Sequence, residues 1–195
     1  MDTDSGLTSE QGKLLLQIAR AAIAATMQSS KGPPSPPAEH ADGLLQPGAS
    51  FVTLTQQGQL RGCIGSLEAR RPLLDDVKAN AVAAALHDPR FAPLSLSELD
   101  RTDVEVSVLS PMQPLQFDSE AHALAQLRPG VDGVVFEFGR HRSTFLPQVW
   151  EQLPDAGEFM AHLKRKAGLA PDFWAPEVRL QRYTVRKFKE SEGTS

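Results

Sequence analysis

From Thr8 to about Gln28 the apolar residues Leu14, Leu15, Ile18, Ala22 and Ala25 recur at steps of three and four, which is the helical period. This spacing predicts an amphipathic helix whose alanine-rich face lies close on a sheet, and Thr8 with Gln11 three residues on forms a capping box at its start. The pattern stops between Ser29 and Ser50. There Gly32-Pro33-Pro34-Ser35-Pro36-Pro37 rules out a helix interior or a central strand and predicts a proline-rich surface loop over 29–50. Phe51-Val52-Thr53-Leu54-Thr55 is β-branched and aromatic, Gln56-Gln57-Gly58-Gln59 is a glycine-containing turn, and Leu60 to Ile64 returns, so a β-hairpin is expected. Arg71-Pro72 opens a second helix with proline at its first position, Asp75 and Asp76 suit the positive end of its dipole, and Pro89 stops it near His87.

Asp103 to Leu109 alternates Val104, Val106 and Val108 against Glu105 and Ser107, a half-buried strand. A short helix follows over about Ser119 to Leu127. The first pattern then begins again: strand Val134 to Phe138, turn Gly139-Arg140, strand His141 to Leu146, a helix capped by Asp155 and Glu158 and stopped by Gly168, and a last strand from Val178 to Val185. The order is strand, strand, helix, strand, twice over. It predicts an α+β fold in two unequal lobes, the two units sharing a mostly antiparallel sheet, open or curled towards a barrel, with helices outside.

At 195 residues, with 41% hydrophobic and 23% charged positions, the chain has the size and composition of one globular domain spanning 1–195. A net charge of −4 and no long basic run argue against a nucleic-acid partner. The lone cysteine permits no internal disulfide, the amino terminus is acidic, and no apolar run approaches the roughly 20 residues that span a bilayer. A cytoplasmic protein without a membrane partner is therefore expected. Metal-ligand spacings, Gly-x-Gly-x-x-Gly and Gly-Lys-Ser/Thr loops are lacking, so neither a metal nor a cofactor is indicated.

Chemistry concentrates at Leu60-Arg61-Gly62-Cys63-Ile64-Gly65. On a strand, Arg61, Cys63 and Gly65 share one face and Leu60, Gly62 and Ile64 the other. A neighbouring guanidinium favours thiolate over thiol, and flanking glycines let a ligand approach the backbone. The alternative is a small, inert packing cysteine, since free cysteine is among the most buried residues. A nucleophile needs a base. His87 and Asp88 lie at the far end of a helix roughly 22 Å long, so they reach Cys63 only if the connector folds back. His141 and His162 are further candidates, and Glu105 faces away from the valines of its strand.

The hexapeptide Leu60 to Gly65 resembles the hallmark of the AMMECR domain family. Phe51-Val52-Thr53-Leu54, Asp88-Pro89-Arg90-Phe91 with Pro93-Leu94, Val104 to Pro111, Phe145 to Trp150 and Lys166 to Leu169 follow in family order. The resemblance implies a compact α+β domain with two unequal lobes and raises the weight on Arg61, Gly62, Cys63, Gly65, Asp88, Arg90 and Glu105. It implies no settled activity. Bacterial and archaeal members resemble one component of the AmmeMemoRadiSam set, beside a Memo-like protein and a radical SAM enzyme. Two expectations follow. In the first, Cys63, with Glu105 or His87 as acid–base groups and Arg61 and Arg90 as anion contacts, serves a thiol-dependent enzyme or factor acting on a small anionic substrate. In the second, the same cleft belongs to a non-catalytic accessory or ligand-binding module. A third reading treats the motif as a tight structural turn.

Overall fold

The computed structural model describes residues 6–28 and 43–190; most of the proline-rich stretch expected as a loop lies outside them. The chain divides into two compact units, one built from residues up to Leu109 together with Arg186 onwards, the other from Ser110–Val185.

In the first unit, helix α1 (Ser9–Gln28) starts at the expected box: Thr8 N–H donates to the Gln11 side chain at 2.8 Å and Gln11 N–H to the Thr8 hydroxyl at 3.1 Å. Strands β1 (Pro47–Gln56) and β2 (Gln59–Gly65) form the hairpin, a two-residue β3 (Arg71–Pro72) pairs with the start of β1, and helix α2 (Leu73–Leu86) follows. Pro72 is thus the N-cap of α2, one residue before the expected position. A short helix α3 (Leu96–Leu99), which the apolar pattern does not announce, precedes β4 (Asp103–Leu109). The sheet order is β2-β1-β4-β9, where β9 is Val185–Lys189. β1 runs antiparallel to both β2 and β4. Val52, Leu54, Val104, Val106 and Val108 pack with Leu15, Ala19 and Ile23 of α1 and Val77, Ala81 and Ala84 of α2 into one core, which explains both the strand alternation and the alanines of the helices.

The second unit holds β5 (Gln113–Pro114), α4 (Glu120–Gln126), β6 (Gly133–Phe138), β7 (His141–Phe145), α5 (Ala156–Lys166) and β8 (Arg179–Tyr183). Its sheet order is β5-β8-β6-β7. The Asp155 side chain caps α5 by accepting the Glu158 N–H at 2.9 Å. Gly168, at φ 84°, ends the helical region in a left-handed conformation that suits glycine. Its core stacks Trp150 on Phe159 with centroids 3.8 Å apart. Lys164, buried at 1% exposure, is paired with Glu120.

The α+β expectation holds, and each unit repeats one connectivity. The first hairpin strand is central (β1, β6), its hairpin partner lies on one side (β2, β7), and the strand after the helix lies on the other (β4, β8). The strands are divided between two sheets, neither closed into a barrel. The strand expected over Val178 to Val185 is interrupted at Thr184: β8 joins the second sheet and β9 the first. Thr184 N–H donates instead to the Ser110 hydroxyl at 2.9 Å.

Candidate functional site

Cys63 lies on β2, the edge strand of the first sheet. Its cross-strand partner is Thr53, whose hydroxyl donates to the Cys63 Sγ at 3.3 Å. Where an antiparallel residue does not exchange hydrogen bonds with its partner, both its N–H and its C=O point outward. At Cys63 both outward groups are occupied by one side-chain pair: the N–H donates to Asp88 Oδ2 at 2.9 Å, and the C=O accepts from Arg90 Nη2 at 3.3 Å. The Asp88–Arg90 pair thus substitutes for a missing neighbouring strand.

That pair is held by its own loop. Asp88 Oδ1 accepts from the Arg90 N–H at 3.1 Å and Nε at 3.0 Å, and Oδ2 accepts from Nη2 at 2.7 Å. Leu94 N–H donates back to the Ala85 carbonyl of α2 at 2.8 Å, which folds the connector over the helix end. The Asp88 side chain is 1% exposed and that of Arg90 55%. The Arg90 guanidinium, followed by the Cys63 N–H, holds the Asp88 carboxyl well below the usual carboxylate range against the opposing cost of burial. Arg90 is raised in turn, chiefly by Asp88, and it also senses the Cys63 side chain.

The connector does return to the cysteine strand, and it brings Asp88 and Arg90 there. His87 is exposed, closes α2 through its backbone N–H, and does not supply the hydrogen bond to the sulfur. His141 Nδ1 pairs with the Ala167 carbonyl at 2.9 Å within the second unit, and His162 is exposed. Glu105 occupies the same cross-sheet row as Cys63, with Thr53 between them. Two strand spacings put them about 10 Å apart. Glu105 accepts from the Ser107 hydroxyl at 3.4 Å and faces Lys189 Nζ at 3.5 Å.

Arg61 departs from simple alternation. The β1–β2 register slips between Leu54 and Thr55 so that Gly62 opposes Leu54 and Leu60 opposes Thr55, leaving Arg61 as the extra residue of a bulge. Its Nε and Nη2 donate to Glu98 of α3 at 3.2 and 3.3 Å, and Nη1 to the Ala92 carbonyl at 2.9 Å. Glu98, held by the Ser95 N–H and then by Arg61, is lowered to about 2. The cation that reaches the Cys63 backbone is therefore Arg90, while Arg61 ties the hairpin to α3.

The two glycines have distinct surroundings. A Cβ on Gly62 would lie 2.1 Å from the Ala84 carbonyl oxygen of α2, so only glycine lets the strand approach the helix backbone. A Cβ on Gly65 would strike the Phe51 ring, whose nearest atom is 2.2 Å away. Just beyond, Ser66 enters a buried network that the sequence reading missed. Asp76 accepts from the Ser50 N–H (2.9 Å), the Ser50 hydroxyl (2.7 Å), Ser66 (2.8 Å), Arg71 (2.9 Å) and Asn80 (2.9 Å). Asp76 and Asn80 are one helical turn apart, and that i, i+4 spacing, with Ser50 on β1 and Ser66 just past β2, was the available signal.

Among the described residues no cluster of three or more His, Cys, Asp or Glu side chains could hold a metal ion. None of their helices is long and apolar enough to cross a membrane.

The AMMECR1 family model matches residues 16–188. A protein of Methanothermobacter thermautotrophicus is 43% identical over 94% of this chain and 96% of its own length. One of Methanocaldococcus jannaschii is 35% identical over 95% and 93%. The crystal structure of an uncharacterized protein from Pyrococcus horikoshii matches with a TM-score of 0.80 at 34% identity, over 94% of this chain and 93% of that one. With the family model spanning the hairpin, the Asp88–Arg90 connector and both sheets, the chain belongs to the AMMECR1 family.

Proposed function

We propose that Cys63 is the contact atom of a thiol-dependent factor acting on a small anionic substrate, with Arg90 as the counter-charge. The observation that supports this reading is the double anchoring of Cys63. Its backbone is fixed on both outward groups by Asp88 and Arg90 while its side chain, partly exposed, accepts a hydrogen bond, among the described residues, from Thr53 alone. Arg90 is paired with Asp88 through Nε and Nη2, and its half-exposed guanidinium keeps the Nη1 donors, unused in these bonds, to hold an anion near the Cys63 sulfur. In this reading Arg61 shapes the hairpin, and Gly62 and Gly65 set its approach to α2 and Phe51.

The test compares alkylation of native Cys63 by iodoacetate and by iodoacetamide. The rate ratio of anionic to neutral reagent should rise several-fold over that of the denatured chain, fall back in Arg90→Gln, and persist in Arg90→Lys. An unchanged ratio in the native protein, or no native reaction, overturns the reading.

One observation favours the second reading, a non-catalytic accessory module partnering a Memo-like protein and a radical SAM enzyme: the group that reaches the sulfur is a hydroxyl and not a base. That reading predicts a complex with those proteins that survives Cys63→Ser.

A further inference from the structure

At the tip of the β1–β2 hairpin a groove of about 400 Å³ is lined by Gln56, Gln57, Gln59, Leu60, Arg61 and Arg101. The turn is tight, with Gln57 at φ 51° and Gly58 at φ 75°; two successive left-handed residues make the turn whose twist matches a hairpin. Glutamine is an uncommon choice for the first position, where Asn, Asp or Gly adopt positive φ more readily.

The wall of this groove is partly rigid. Arg61 is held by Glu98 and the Ala92 carbonyl, and its side chain remains 15% exposed. A guanidinium has five N–H donors, and three are used in these bonds. Gln56 Nε2 donates to the Thr102 hydroxyl at 3.0 Å and lies 3.4 Å from Glu98 Oε1. Its carboxamide orientation is thereby set, and its oxygen is left as an acceptor. Arg101 is exposed and, among the described residues, its guanidinium has no hydrogen bond or ion pair. Glu98 neutralises Arg61, so Arg101 is the uncompensated cation of the lining. Leu60, 45% exposed, adds an apolar surface.

From this lining we infer that the groove is a binding site for a small hydroxy or amino acid with an aliphatic side chain, separate from the Cys63 row. The carboxylate meets Arg101 and the spare donors of Arg61, the neighbouring hydroxyl or ammonium donates to the Gln56 carboxamide oxygen, and the aliphatic part rests on Leu60. Gln57 and Gln59, both exposed, complete the polar rim.

The test is an amide chemical-shift titration of the full chain with 2-hydroxyisovalerate, isovalerate and isovaleramide. The hydroxy acid should give saturable shifts at residues 56–61 and at Arg101. Isovalerate should bind about tenfold more weakly, isovaleramide should give no saturable shifts, and Arg101→Gln should weaken the hydroxy acid about tenfold while leaving the rest of the spectrum unchanged. Cys63→Ser should leave the titration as it is, so failure here and failure of the thiol reading are distinguishable. Shifts that do not saturate by tens of millimolar, equal effects of the three compounds, or a titration unaltered in Arg101→Gln would each overturn the inference.

Discussion

Replacing Asp88 by Asn removes one charge and almost no volume, which isolates what the carboxylate does for Cys63. In the native chain Asp88 accepts four hydrogen bonds, from the Cys63 N–H and from the Arg90 N–H, Nε and Nη2. A carboxamide offers one oxygen. Whichever way it turns, its NH2 group confronts two donors, so two of the four bonds are lost. Hydrogen bonds to a charged group contribute about 1.5–3 kcal/mol each. Arg90 is half exposed and water recovers part of its loss, which favours the lower end. The expected destabilisation is about 2–4 kcal/mol, a large share of the roughly 5–15 kcal/mol that holds most domains. Urea titration followed by far-ultraviolet circular dichroism measures it, and hydrogen exchange localises it: the Cys63 amide should lose protection while the central strands β1 and β4 keep theirs. Because the Asp88 carboxyl is held below its ordinary range, its contribution is full above the unfolded-state pKa of about 4. It is lost as pH falls below that value towards the folded pKa, so the gap between wild type and Asp88→Asn should shrink in acid. A change under about 0.5 kcal/mol with an unaffected Cys63 amide would refute the strand-substitute role, since a surface substitution costs no more than that.

Further outcomes follow from other contacts. Gly62→Ala should destabilise the protein by about 1–3 kcal/mol or more, because the added methyl meets a backbone oxygen of α2. Gly65→Ala should cost less because the Phe51 ring can turn aside; equal urea midpoints for the two variants would contradict this ordering. Asp76→Ala leaves the buried Ser50 N–H without its acceptor, while the Asn80 amide keeps the Ser50 carbonyl, and should cost about 3–5 kcal/mol by denaturant unfolding. Tyr183 is the only tyrosine of the chain, and burial pushes its phenol up to about 12. Its absorbance should therefore titrate well above the value of about 10 found in the denatured chain. Its contribution to stability should be full below pH 10 and lost as pH rises from there towards 12, and a native midpoint near 10 would show that the phenol is not enclosed.

The elements that local chemistry specifies were legible in the sequence. The Thr8–Gln11 box, the Asp155 cap and Gly168 each satisfy or end a helix within a few residues of chain, so the start of α1 and both bounds of α5 follow from local sequence. What required three dimensions was the destination of charged side chains. Arg61 reads as the neighbour of Cys63 until a one-residue bulge hands it to Glu98, and no pattern in Leu60 to Gly65 announces that slip. Asp76 reads as a helix-dipole residue because its position in the first turn is visible, whereas the two serines that it binds, Ser66 just past β2 and Ser50 on β1, lie 10 and 26 residues away. The division of the last strand at Thr184 was hidden for the same reason: Val178 to Val185 is continuous in β propensity, and only the Ser110 pairing shows where it changes sheet.

Native reactivity of Cys63 separates a positioned, accessible thiol from a packing residue. The rate of iodoacetate modification should be measured across pH 5–9 for the folded and the denatured chain under the same ionic conditions. At neutral pH the folded protein should react at least as fast as the denatured one, and added salt should slow the folded protein more, as expected for attraction by Arg90. A folded protein that stays unmodified throughout that range, while the denatured chain reacts normally, would make Cys63 a packing residue and rule out its role as a contact for substrate.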